Sequence, residues 1–159
     1  MAGAGADKKV YICSANDGST MSFEAHDAPV RSVRFVRISG GPADVLATGS
    51  WDGTVRYWDV RNTSTPLARL TAKERVYSMD TGGDLLVVGT ADRHIHLIDL
   101  RIDPTIFMQT TTNEPLSHQT TVVAVMPEGQ GYAVGSIEGR VSVRSTENKK
   151  KPKPSVQLS

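Results

Sequence analysis

A hairpin recurs along this chain, and its spacing constrains the fold more than any other feature. Residues 49–61, Gly-Ser-Trp-Asp-Gly-Thr-Val-Arg-Tyr-Trp-Asp-Val-Arg, read as strand, tight turn, strand. Asp52-Gly53 is a two-residue turn signal, because Gly accepts positive φ and Asp tolerates it. Residues 45–50 enter the turn as a mostly apolar run, and 54–58 leave it as a β-rich strand. Asp7, Asp92 and Glu138 likewise precede alternating strands, at 10–12, 95–98 and 141–143. The intervals from Asp7 to Asp52, Asp92 and Glu138 in turn are 45, 40 and 46 residues. A unit of this length cannot bury its apolar face alone, so such repeats stack to share a core. Residues 20–23, 67–70 and 106–110 are expected to be the outer strands of three units. Residues 30–36, 75–79 and 121–126 are expected to be the inner strands of the units that follow. The run 85–88, Leu-Leu-Val-Val, does not alternate, as in a strand buried on both faces. Nothing sustains a 3.6-residue period, so the expected class is all-β with almost no helix.

The ends are atypical. Residue 7 already lies in mid-hairpin, so no earlier strand is expected. The last unit stops after its third strand. Residues 1–146 are expected to form the folded part: half a unit, two whole ones and most of a fourth. Residues 147–159 read as a basic, Pro-broken, disordered tail, with 155–158 as a possible final strand. A stack of this size looks too short to close on itself. Its exposed edges invite pairing, so self-association or poor solubility is expected.

Composition narrows the function. A net charge of +1 supplies no global field to draw the chain to nucleic acid or membrane. The single Cys13 forms no internal disulfide, the first residues lack an apolar signal region, and no apolar run reaches the ~20 residues of a membrane helix. Soluble and intracellular is the expectation. His94 and His96 share one strand face, but no third metal ligand is evident nearby. Cys13 reads as an apolar filler. Gly3-x-Gly5 lacks the third glycine of a dinucleotide site. The lysines at 149–153 could serve nuclear import or RNA, yet no aromatic residues interleave with them for stacking. No nucleophile, base and oxyanion set can be assembled. The expectation is a non-enzymatic protein with no cofactor and no metal.

Trp58-Asp59 closing the hairpin is the signature of WD repeats, in which four strands form one blade of a β-propeller. The resemblance implies a buried hydrogen-bond chain joining a loop His, a Ser or Thr, the turn Asp and the strand Trp. The candidates are His26, Ser50, Asp52 and Trp58, read as structural. Only this repeat has the full set. Ile98 replaces Trp in the Asp92 repeat, which has no upstream His. Glu138 and Arg144 replace Asp and Trp in the last, where His118 is the candidate loop His.

Five blocks extend the resemblance. They are Ala-His-Asp-Ala-Pro-Val (25–30), Thr-Gly-Ser-Trp-Asp (48–52), Glu-Arg-Val-Tyr-Ser-Met-Asp (74–80), Val-Val-Gly-Thr-Ala-Asp-Arg-His-Ile (87–95) and Gly-Ser-Ile-Glu-Gly-Arg-Val (135–141). Together they resemble the nuclear-pore mRNA export factor family of WD-repeat proteins, the rae-one or Gle-two type. They also resemble, slightly altered, the related Bub-family spindle-checkpoint protein. The resemblance implies an incomplete propeller of about three to four blades, in a ring usually of seven. It implies an adaptor that binds a GLEBS-like acidic peptide of a nucleoporin in mRNA transport, with RNA met indirectly or weakly. It places the protein at the nuclear pore and envelope, with cytoplasmic shuttling. Arg140, Arg75 and Arg93 are the peptide-contact candidates, since Arg holds a carboxylate bidentately. Two other readings stand beside it: a checkpoint adaptor binding kinases, and a truncated product without independent function.

Overall fold

The computed structural model describes residues 1–112 and 116–146, which form fourteen strands and, among the described residues, no helix. β1 (Ala2–Ala4), β2 (Lys9–Cys13) and β3 (Thr20–Glu24) make a first antiparallel sheet. β4 (Val30–Val36), β5 (Val45–Ser50), β6 (Thr54–Asp59) and β7 (Ala68–Thr71) make a second. β8 (Val76–Gly82), β9 (Leu85–Thr90), β10 (His94–Asp99) and β11 (Gln109–Thr112) make a third, and β12 (Thr120–Val125), β13 (Gly131–Ser136) and β14 (Val141–Ser145) a fourth. Each sheet is a meander whose strand order follows the chain. The leading strands β4, β8 and β12 lie side by side, with β1 beside β4. The sheets therefore fan from a common axis, as propeller blades do.

The core consists of three layers between sheets. Val10 and Ile12 of the first sheet meet Val30, Leu46 and Trp58 of the second, with the Phe23 ring 4.8 Å from Trp58 and edge-on to it. Val45, Ala47, Val55 and Tyr57 meet Met79, Leu86, Val88 and Ile98 of the third. Leu85, Val87, Ile95 and Leu97 then meet Val123, Tyr132 and Val134 of the fourth. The run at 85–88 is explained by these layers: Leu86 and Val88 face one neighbour, Leu85 and Val87 the other. Polar bonds stitch the leading strands. Asp80 accepts from Arg34 Nε at 2.9 Å on one side and from the Val125 amide at 2.8 Å on the other.

The third and fourth sheets are in tight contact at Gly82, where a Cβ would lie 2.1 Å from Met126 O and 2.9 Å from Val125 Cγ1. Gly82→Ala is expected to cost about 2 kcal/mol through overpacking, seen as a lower urea midpoint. Gly3→Ala, which meets nothing within 4 Å, supplies the comparison. An unchanged midpoint for Gly82→Ala would mean that these sheets do not pack this way.

Two boundaries differ from expectation. A strand does precede residue 7: β1 pairs with β2 as Ala2↔Ile12, Gly3↔Tyr11 and Ala4↔Val10. Its Gly and Ala side chains carry no alternating signal, and backbone pairing alone defines it. The outer strand expected at 106–110 begins later, at Gln109, because Asp103 captures the Thr105 amide and hydroxyl at 2.8 and 2.6 Å and holds a turn there. The tail at 147–159, with its possible strand at 155–158, lies outside the described residues. On the side of the fourth sheet away from the third, Val122, Val141 and Val143 share one face and are exposed.

Candidate functional site

The Asp52 turn is held by a buried polar chain. Trp58 Nε1 donates to Thr48 Oγ1 at 2.9 Å, and Thr48 Oγ1 lies 2.7 Å from His26 Nε2. His26 Nδ1 lies 3.0 Å from Asp52 Oδ2. Asp52 also accepts the Thr54 hydroxyl at 2.6 Å and amide at 2.9 Å. Burial pushes the His26 imidazole below its usual pKa against the pull of Asp52, so the ring is neutral near pH 7. Nδ1–H then donates to the carboxylate, and the Thr48 hydroxyl donates to Nε2. Burial raises the Asp52 carboxyl but is outweighed by the Thr54 and His26 bonds, which hold it below the carboxylate range.

The hydroxyl in this chain belongs to Thr48, which corrects the expectation of Ser50. Ser50 Oγ instead faces the carbonyls of Pro29 (2.9 Å) and Ala28 (3.1 Å) and accepts the Asp52 amide at 3.1 Å. Thr48 and Ser50 point to the same face, two residues apart. Ser50 lies beyond the last β5–β6 pair, Gly49↔Val55, whereas Trp58 pairs with Leu46 deep in the blade. Thr48 is the hydroxyl within the indole's reach.

The other turns use variants of this device. Thr90 Oγ1 donates to Asp92 at 2.5 Å, and His94 Nδ1 lies 2.8 Å from the same carboxylate. The imidazole here comes from the strand, replacing the upstream loop His. His96 is bonded to Thr110 Oγ1 at 2.9 Å and stacked on Phe107 with centroids 4.2 Å apart. Burial pushes its pKa down to about 4, Asp92 opposing and His94 adding to the fall. In the fourth sheet His118 Nδ1 lies 3.0 Å from Glu138 Oε2.

These turns share one edge of the molecule with the segments that lead into β4, β8 and β12. One bond repeats in all three blades: the amides of Trp51, Ala91 and Ile137 donate to the carbonyls of Pro29, Arg75 and Gln119, at 3.1, 2.9 and 3.1 Å. Each leading strand is also irregular just inside this edge, where the register shifts between Val30 and Ser32, Val76 and Ser78, and Thr120 and Val122. A bulge re-aims the extra residue, here Arg31, Tyr77 and Thr121. These three line a cleft of about 300 Å³ with Trp51, Gln119, Thr120 and Ile137. Trp51 and Tyr77 meet edge-on at 6.3 Å, and the Arg75 guanidinium stands 5.5 Å from the Trp51 ring centre. Trp51 is 40% exposed and Ile137 61%. The sequence reading missed Arg31, Trp51, Tyr77 and Ile137. A large aromatic just before the Asp52-Gly53 turn was the available signal for Trp51, since it has no cross-strand partner to cover it. Nothing local marks the bulges.

The three arginine candidates are all exposed on this edge. Arg75 borders the cleft through Trp51. Arg140 follows the Glu138-Gly139 turn, and its guanidinium makes no ion pair or hydrogen bond among the described residues. Arg93 occupies its turn with φ of 64° and donates from Nη1 to Ser117 O at 2.8 Å. Carboxylates on the same edge are engaged within the fold: Asp52, Asp92 and Glu138 by histidines, and Asp27 by Arg56 Nη2 at 3.0 Å.

Comparison with known proteins agrees with the repeated-blade architecture. Residues 17–59 match the family model "WD domain, G-beta repeat". The chain is 45% identical over 146 residues to the mRNA export factor GLE2 of Chaetomium thermophilum, covering 92% of this chain and 40% of that protein. It is 42% identical over 149 residues to the Poly(A)+ RNA export protein of Schizosaccharomyces pombe, covering 94% and 41%. It is 39% identical over 145 residues to the mitotic checkpoint protein BUB3.1 of Arabidopsis thaliana, covering 87% and 40%. The chain thus spans about two fifths of the length of these relatives. Residues 17–59 thus carry the WD-repeat pattern, and over most of its length the chain is similar to mRNA export factors of the GLE2 and Rae1 type.

Proposed function

We propose that this chain is a non-enzymatic adaptor of the mRNA export type, capturing an acidic, GLEBS-like peptide of a nucleoporin on its turn edge, at the nuclear pore. The observation that carries this reading is the cleft walled by Trp51 and Tyr77 and bordered by Arg75. The edge's turn carboxylates are already engaged within the fold, while Arg31 and Arg140 make no ion pair among the described residues. Such a surface is complementary to a peptide that brings both carboxylates and an apolar side chain. Arg140 and Arg75 are the proposed contacts. RNA would meet this protein through its partners.

Fluorescence anisotropy with a labelled GLEBS-type peptide tests this. Arg140→Glu is expected to weaken binding at least about tenfold, because it loses a charge-assisted bond and adds repulsion. Equal affinity for the variant would remove Arg140 from the site. No binding by the wild-type chain would count against the function. The 39% identity to a mitotic checkpoint protein supports a second reading, in which the captured peptide belongs to a checkpoint kinase. Tighter binding of that kinase's peptide in the same assay would favour it.

The exposed valine face of the fourth sheet carries a separate expectation. The isolated chain should associate as its concentration rises, through Val122, Val141 and Val143. Sedimentation as a single monomeric species at all concentrations would contradict it.

A further inference from the structure

The four hairpin turns hold equivalent residues in the left-handed region: Lys8 (φ 69°), Gly53 (φ 77°), Arg93 (φ 64°) and Gly139 (φ 79°). Glycine takes this conformation without penalty, and an arginine does not. Strained positions of this kind cluster where the side chain performs a task. For Arg93 the task is visible. Its Nη1 crosses from the third sheet to the segment entering the fourth and donates to Ser117 O at 2.8 Å. In two other blades the equivalent turn residue bonds through its carbonyl, continuing the pairing of the last two strands: the Ala25 amide donates to Lys8 O at 3.1 Å, and the Ala72 amide to Gly53 O at 2.8 Å. Two residues beyond Ser117, Gln119 begins one wall of the aromatic cleft, which continues through Thr120 and Thr121. The Gln119 carbonyl also accepts the amide of Ile137, on the opposite lip.

We infer that Arg93 is a positioning residue for the cleft: its guanidinium straps the segment at 116–119 to the third blade and sets the Gln119–Ile137 lips for peptide capture. The inference rests on the peptide-binding reading for its functional consequence, but not for the strap itself. It also moves Arg93 from a direct peptide contact to a residue acting through its neighbour. The strain at φ 64° is then balanced by the bond to Ser117, which a glycine could not make.

The test is Arg93→Gly in the full chain, since glycine suits the turn and the variant should fold. Three measurements are made. Amide hydrogen exchange compares Ile137, bonded to Gln119 O, with Trp51, which makes the same bond to Pro29 O in another blade. Ile137 should exchange about tenfold faster in the variant, the size expected for losing one bond to a charged donor, while Trp51 is unchanged. Affinity for the labelled GLEBS-type peptide should fall several-fold, and the dependence of log affinity on log salt should keep its slope. A direct ionic contact predicts the reverse, with a shallower slope and unchanged Ile137 exchange, and that result overturns the inference. Faster Ile137 exchange with wild-type affinity also overturns it, by showing that the strap does not govern the cleft. If wild-type protein fails to bind the peptide, the functional reading falls, and the Ile137 and Trp51 comparison still decides whether the strap exists.

Discussion

Thr48→Val is expected to destabilise the protein by about 3 kcal/mol. The substitution keeps the volume and β-branching of a fully buried strand residue, so packing is nearly conserved. What it removes is the one hydroxyl that serves both the Trp58 indole and His26 Nε2. A buried polar atom left without a partner costs roughly 1–3 kcal/mol, and here there are two. For a domain of this size, that corresponds to a fall of about 10 °C in melting temperature. Ser50→Ala should cost only about 1 kcal/mol, because the Pro29 carbonyl keeps the Trp51 amide as a donor and the Asp52 amide that it releases lies in the turn. Thr48→Val combined with Trp58→Phe should be less damaging than the two costs added, since each change removes the partner the other orphans. Thermal melts of these three variants and of Trp58→Phe alone check this ranking. If Ser50→Ala proves the more damaging single change, the hydroxyl in the chain has been assigned to the wrong residue.

Stability should fall between about pH 6.5 and pH 4, before the carboxylates titrate. His96 is buried, with a folded pKa pushed down to about 4 from 6.5, and His26 is shifted in the same direction. The sign follows from proton uptake. Above about 6.5 both states hold neutral imidazoles, and the stabilisation is fully present. As pH falls below that value the unfolded chain takes up protons that the folded state refuses, so folding weakens until His96 itself titrates near 4. A shift of this size is worth about 3 kcal/mol for His96 alone. Asp52, Asp92 and Asp99 are also shifted down, from 3.8. Their contributions are present above that value and are lost only at lower pH, so the two windows are separate. Urea unfolding across this range should show the loss, and His96→Gln should flatten it, leaving the share that belongs to His26. A stability constant from pH 6.5 to 4 would mean that neither imidazole is buried as described.

Much of the architecture was legible in one dimension. A 40–46-residue spacing of acidic turns, each followed by an alternating strand, states the repeat. The alternation names the core faces, because side chains on a strand have a period of two. The Leu-Leu-Val-Val run announced a blade packed on both sides, and Leu85 to Val88 divide between two core layers accordingly. His26, Asp52 and Trp58 could be singled out because their spacing matches a known hairpin device.

The tertiary structure alone decided the rest. Thr48 and Ser50 are equivalent by period, and only the register of β5 against β6 shows which of them the indole reaches. β1 consists of small residues and exists through its pairing with β2. The cleft draws Arg31, Trp51, Tyr77, Gln119 and Ile137 from three blades, aimed in part by bulges at residues no turn motif marks. Sequence periodicity reports which way each residue of an element faces. Where the edges of separate elements meet depends on how those elements stack, and a binding surface made at such a meeting has no local signature for the sequence to carry.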